Sequence, residues 1–209
     1  LRAGEMPLPE YVLMHPDVDA AVFETARGGL LREGLAFDRC KVAVVTNIGE
    51  GDHLGLNYIT TVEDLAVLKR VIVQNVAPDG MAVLNAADPI VAKMAENCPG
   101  AVTYFATDRH HPLMATHNAQ GKRVVYIDGN AIVAAEHGAV VQRIPLEDVP
   151  LTRKGTISFQ VDNAMASVAA AWALTLDWNA IRAALKSFAS DAETAPGRFN
   201  VFSYRGATL

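Results

Sequence analysis

The 209-residue chain is poor in cysteine, holding only Cys40 and Cys98, which are far apart and form no CxxC pair. That removes a disulfide framework and a thiolate metal site from consideration and leaves two free thiols. No window approaches the roughly 18 uninterrupted apolar residues of a membrane helix. No run of lysine or arginine appears and the net charge is −5, so the footprint for nucleic acid or acidic lipid is missing. Neither a nucleic acid nor a membrane is expected as a partner. The opening LRAGEMPLPE has neither an initiator Met nor the basic-then-apolar form of a signal peptide. The expectation is a cytoplasmic protein whose chain begins inside a longer one. Repeats and low-complexity segments are absent. So is the phosphate-loop pattern GxxxxGK[ST], because the lone Gly-Lys pair, Gly121-Lys122, is followed by Arg123. If this chain handles a nucleoside triphosphate, the loop that cradles its phosphates is expected before residue 1.

What is there is ordinary for a globular domain: 51% hydrophobic and 20% charged residues. Apolar runs closed by polar residues or glycine predict strands over 18–24, 41–47, 80–85 and 101–107. Between the second and third, TVEDLAVLKRVIVQNVAPDG reads as a helix capped by Thr61 and ended by Pro78 to Gly80. DPIVAKMAENC reads as another. Alternation of this kind predicts an α/β fold, a mostly parallel sheet flanked by helices. The texture changes at 121–146, where Asp128-Gly129-Asn130 marks a hairpin and a third strand follows Gly138. That predicts a small antiparallel region at one edge of the sheet. Helices follow over 162–174 and 177–189, with Trp178, Ile181, Leu185 and Phe188 on one core-facing side of the second.

Ligands of open α/β sheets sit beyond the carboxyl ends of the strands. The strand over 18–24 delivers Glu24 and Thr25 into ARGGLLREG, where Gly28, Gly29 and Gly34 suggest a loop. The strand over 41–47 delivers Asn47 and then Asp52-His53, in TNIGEGDHLG. As parallel neighbours, the two strands would aim Glu24 and His53 into one crevice. A carboxylate and an imidazole with open positions suit Mg²⁺ or Mn²⁺ carrying a phosphate. Equally, Glu24 could pair with Arg27 or Arg32, and His53 could bond its own loop backbone. Lys69 falls inside the apolar arc of its helix with Leu65, Leu68 and Ile72. A lysine there either snorkels to water, is paired or altered, or reaches the crevice.

The stretch DAAVFETARGGLLREGLAFDRCKVAVVTNIGEGDHLG resembles the central domain of the Mur ligase superfamily, ATP-dependent enzymes that form amide bonds. The resemblance implies a fold like that of the P-loop NTPases, with residues 1–198 as the ATP-binding domain and 199–209 opening the next. It implies Glu24 as a magnesium ligand, His53 as ligand of a second magnesium, and Lys69 as a lysine carbamylated into a carboxylate-like ligand. His53 and Lys69 would thus carry the catalytic burden. Asn163, in DNAMASVAAAWAL, matches an asparagine that contacts adenine, and Arg198, in PGRFN, an arginine that reaches the ATP phosphates. Where the family usually has a histidine-asparagine pair before that helix, this chain has Phe159-Gln160, and Gln160 can still bond adenine. The common NADDP reads Asn85-Ala86-Ala87-Asp88-Pro89, one carboxylate short.

ETARGGLLREG is similar to the branch that attaches arginine to the side-chain carboxylates of a poly-aspartate backbone. The implied chemistry uses ATP, Mg²⁺, an amino acid and a polypeptide-like acceptor, in a homo-oligomeric full-length protein. The 209 residues alone are expected to form no amide bond. A Mur-type ligase acting on folate or murein peptide, or a non-catalytic nucleotide-binding module, stands as the alternative.

Overall fold

The computed structural model describes residues 9–49, 54–55, 58–188, 203–204 and 207–208. In chain order its elements are α1 (Pro9–Leu13), α2 (Arg27–Glu33), β1 (Cys40–Val45), α3 (Val62–Gln74), β2 (Val76–Asn85), α4 (Pro89–Lys93) and β3 (Ala101–Asp108). Then come α5 (Pro112–Ala119), β4 (Val124–Asp128), β5 (Ala131–Glu136), β6 (Ala139–Pro145), α6 (Ser158–Ala173) and α7 (Trp178–Ser187). Two-residue strands β7 (Ser203–Tyr204) and β8 (Ala207–Thr208) pair with each other.

Six strands form one sheet in the order β1-β2-β3-β4-β5-β6. The first four are mutually parallel and β4-β5-β6 is antiparallel, as the hairpin signal at Asp128-Gly129-Asn130 predicts. Each face of the sheet carries its own core. Ala43, Val45, Leu84 and Tyr104 pack with Leu65 and Val73 of α3; Val83, Phe105 and Val125 pack on the other side with Val161, Met165 and Trp172 of α6. Strands β2 and β3 are buried on both faces, which is why they read as continuous apolar runs.

Helix α3 starts where its sequence says it should. Thr61 accepts from the Asp64 N–H, and the Asp64 carboxylate accepts from the Thr61 N–H, a full capping box. It ends sooner than expected, at Asn75, and the chain turns straight into β2. Pro78 to Gly80 therefore do not stop a helix; they bulge β2, whose register on β1 jumps from Cys40↔Val76 to Val42↔Met81. Backbones crowd there: a Cβ on Gly80 would sit 2.6 Å from the Lys41 carbonyl oxygen.

Three further expectations are corrected. The segment ARGGLLREG is largely helical, forming α2, because Leu30 is buried and Gly34, at φ 73°, closes the helix. Residues 18–24 form no strand, since no neighbouring strand among the described residues offers them ladder hydrogen bonds. In α7, Ile181 is buried and Trp178 and Leu185 pack against the core, but Phe188 leaves the helix in an extended conformation and is exposed.

Candidate functional site

A pocket of about 600 Å³ lies along β1. One wall is the segment bearing Glu24 and Thr25; another is β1 itself, with Thr46 and Asn47 just after it. Lys69 and Ile72 of α3 line it as well, and so do Ala170 and Leu174 near the end of α6. Glu24 and Lys69 thus reach one pocket from segments far apart in the chain. Lys69 is half-buried and Glu24 exposed. Thr46 donates its hydroxyl proton to the Asn47 side-chain oxygen at 3.1 Å.

The donors gathered here are the Glu24 carboxylate, the Thr25 and Thr46 hydroxyls and the Asn47 amide oxygen. These are hard oxygen ligands of the kind Mg²⁺ takes, and among the described residues Glu24 is the one carboxylate lining the pocket. The residues present therefore fit a magnesium ion that also draws ligands from elsewhere. Among the described residues no three His, Cys, Asp or Glu side chains cluster tightly enough to hold a metal by themselves. His53 and its neighbours Glu50 and Asp52 lie outside the described residues, and so does Arg198.

A second group sits at the start of α6. The Asn163 side-chain N–H donates to the Gln160 side-chain oxygen at 3.0 Å. Gln160 is buried and Asn163 exposed, so the bond fixes the buried amide while Asn163 faces solvent. These two do not line the pocket beside Glu24 and Lys69; α6 runs from them toward it, and Ala170 and the C-cap Leu174 at its far end line it. Asp162, between them, is half-buried, and that burial raises its carboxyl above the ordinary range.

Asp88 escaped the sequence reading as a working residue. One of its oxygens accepts from the Ile90 and Val91 N–H groups, capping α4 behind Pro89. The other accepts from the Ile48 N–H at 2.8 Å, in the loop after β1. The Asp-Pro start of a helix was the visible signal; the reach to Ile48 was not.

The family model described as the Mur ligase middle domain matches residues 5–171. The chain belongs to that family. Two similar curated proteins are the cyanophycin synthetases of Geminocystis herdmanii, 41% identical over 93% of this chain, and of a Synechocystis strain, 42% identical over 92%. The chain spans only about 22% of the length of either relative. Among solved structures, MurF of Acinetobacter baumannii superposes with a TM-score of 0.52 at 19% identity, covering 80% of this chain and 32% of that one. A second Acinetobacter baumannii structure, titled as a UDP-N-acetylmuramoylalanyl-D-glutamyl-2,6-diaminopimelate–D-alanyl-D-alanyl ligase, gives 0.51 at 19% over the same shares. The middle-domain family and the mostly parallel α/β fold expected from DAAVFETARGG…DHLG are both borne out.

Proposed function

We propose that the chain is the ATP-handling middle portion of an amide-forming ligase of the cyanophycin synthetase kind, which joins arginine to the side-chain carboxylates of a poly-aspartate backbone. The observation that carries this reading is the meeting of Glu24, Asn47 and Lys69 in one pocket along β1. Similarity to two cyanophycin synthetases over more than nine-tenths of the chain supports the substrate class.

The reaction runs in two balanced steps. An acceptor carboxylate oxygen attacks the γ-phosphorus of ATP, ADP leaves, and an acyl-phosphate forms. The α-amine of arginine then attacks the acyl carbon, inorganic phosphate leaves, and the amine gives up a proton. Bound Mg²⁺ would neutralise charge on the phosphates. Glu24, with Asn47 beside it, would hold one such ion, and His53 a second. Lys69, carbamylated, would present an anionic oxygen to the same pocket. Gln160 and Asn163 would bond the adenine edge, and Arg198 the phosphates.

The test is phosphate release by the full-length polypeptide that contains these residues, with ATP, Mg²⁺ and a poly-aspartate acceptor, each amino acid supplied separately. Release with arginine alone among the amino acids is expected. Release with none of them, under conditions where ATP binds, would remove the ligase reading; release only with another amino acid would change its substrate.

A further inference from the structure

Helix α6 is held from its far end. Its N-cap residue is Ile157, whose side chain cannot accept from the first free N–H groups. Six of its sixteen residues are alanine, so its ridges against the sheet are shallow and resist axial sliding weakly. At the other end the chain leaves the helix through Thr175, at φ 58°, a left-handed conformation that strains a β-branched residue. There the Thr175 N–H donates to the Trp172 carbonyl oxygen at 3.0 Å, and the Leu176 N–H to that of Ala171 at 3.1 Å. Glycine usually makes this closure.

Arg123 braces that closure. It lies just ahead of β4, beside Glu136 at the end of β5, and its Nε donates to the Glu136 Oε1 at 3.0 Å. Its Nη1 donates to the Trp172 carbonyl oxygen at 3.1 Å, so that oxygen accepts two bonds. The guanidinium also stands 4.4 Å from the centre of the Trp172 ring, and Trp178 meets the same ring at 5.6 Å. A cation at the carbonyl end of a helix is favoured by the helix dipole, and Glu136 keeps this one in place. One side chain thus fixes the last turn of α6 through both its backbone and its tryptophan.

We propose that Arg123 is a positioning residue for the nucleotide, setting through Trp172 where α6 holds Gln160 and Asn163. This rests on the reading of those two amides as contacts of the adenine edge. They lie nine to twelve residues before Trp172, roughly 14–18 Å along the helix at about 1.5 Å per residue. The helix is continuous from Ser158 to Ala173, so a shift at one end moves the other. Lysine would not replace the arginine: a point charge can serve Glu136 or the carbonyl, but it cannot bridge both and cover the ring.

ATP affinity of the full-length polypeptide, read as Kd and as KM against kcat, tests this. Arg123→Met, which keeps the bulk of the stem, should weaken ATP binding about tenfold while kcat at saturating ATP stays within about twofold. Arg123→Lys should fall between that variant and the parent, about threefold weaker. Asn163→Ala should weaken binding too, and adding Arg123→Met to it should weaken it little further, because both changes remove the same contact. A fall in kcat at unchanged Kd would make Arg123 a residue of the fold alone and overturn the proposal. So would additive losses in the double variant, which place its effect away from Asn163. Unchanged affinity in Asn163→Ala would remove the adenine reading itself, and this proposal with it. Weakened affinity there, beside parental affinity in Arg123→Met, would sink the proposal and leave that reading standing.

Discussion

The Asp88 carboxylate accepts the Ile48 N–H across 40 positions of sequence, tying the loop after β1 to the start of α4. The same side chain caps α4 through its other oxygen. One residue therefore sets the loop that leads from β1 toward His53 and the helix that follows β2.

Asp88→Ala removes both bonds. Loss of the cap costs about 1 kcal/mol, and the Ile48 N–H, in a residue that is buried, loses its partner at roughly 1–3 kcal/mol more. A loss of about 2–4 kcal/mol in urea-melt stability is expected. Asp88→Asn keeps one acceptor oxygen and should fall between the variant and the parent. Equal stability of all three would mean that the loop is held by something else.

Gly100→Ala is expected to destabilise by overpacking. Its Cβ would fall 2.7 Å from the Ala77 carbonyl oxygen and closer still to that of Gly80, both backbone atoms that cannot swing aside. The strand-to-strand spacing at the β2 bulge would have to open, at about 1–3 kcal/mol. Gly29→Ala, where a Cβ would meet nothing within 4 Å, is the control and should be neutral or slightly stabilising inside α2. Denaturant midpoints of the two variants decide it.

These sites show how far the sequence could be read. The Thr61 cap, the turn at Asp128-Gly129-Asn130 and the buried runs of β2 and β3 are local signals, and each landed within a few residues. Helix α2 was hidden because its glycines favour a loop, and only the burial of Leu30 against the rest of the fold outweighs them. Helix α5 over 112–119 has no capping side chain at His111, so its start leaves a weak signal in the sequence. The segment 18–24 has strand periodicity, but a strand also needs a neighbour, which is a tertiary fact. At the site, Lys69 sits in an apolar arc and Glu24 closes an apolar run, and both line the pocket along β1. The Asp88–Ile48 bond joins two ordinary-looking loops and left no trace in either.

His117 makes stability depend on pH. It is buried on α5, its Nε2 lies 2.9 Å from the Val102 carbonyl oxygen, and its ring meets Tyr104 edge-on at 4.7 Å. Burial lowers its pKa below the ordinary value, the Val102 bond opposes this, and the Lys122 charge adds to the lowering. The unfolded chain thus binds the proton more readily than the folded one. The neutral ring's contribution is complete above about pH 6.5 and is lost as pH falls through that value toward the depressed folded pKa. Unfolding free energy should decline between pH 7 and 5.5, by at most about 1.4 kcal/mol per pH unit from this group. His117→Gln keeps an N–H donor and does not titrate, so its profile should be flatter over that range. An unchanged slope would assign the decline to other groups.

Lys69 offers the sharpest check on the pocket's chemistry. It shares the pocket with Glu24 and Asn47, and its half-buried stem packs in the arc of α3 beside Ile72. If it acts as a carbamate, the anionic oxygen is what matters, so neither Lys69→Arg nor Lys69→Ala should support arginine incorporation in the full-length polypeptide. A fall of at least a hundredfold in kcat is expected for both, with His53→Ala behaving alike and Glu24→Gln losing Mg²⁺ affinity. A small carboxylic acid added to Lys69→Ala should restore part of the rate, because it can occupy the vacated stem and present the missing oxygen. Lys69→Arg, whose side chain still fills the space, should not be rescued. If Lys69→Arg instead retains most of the activity, the side chain serves as a cation toward the phosphates, and the carbamate is excluded.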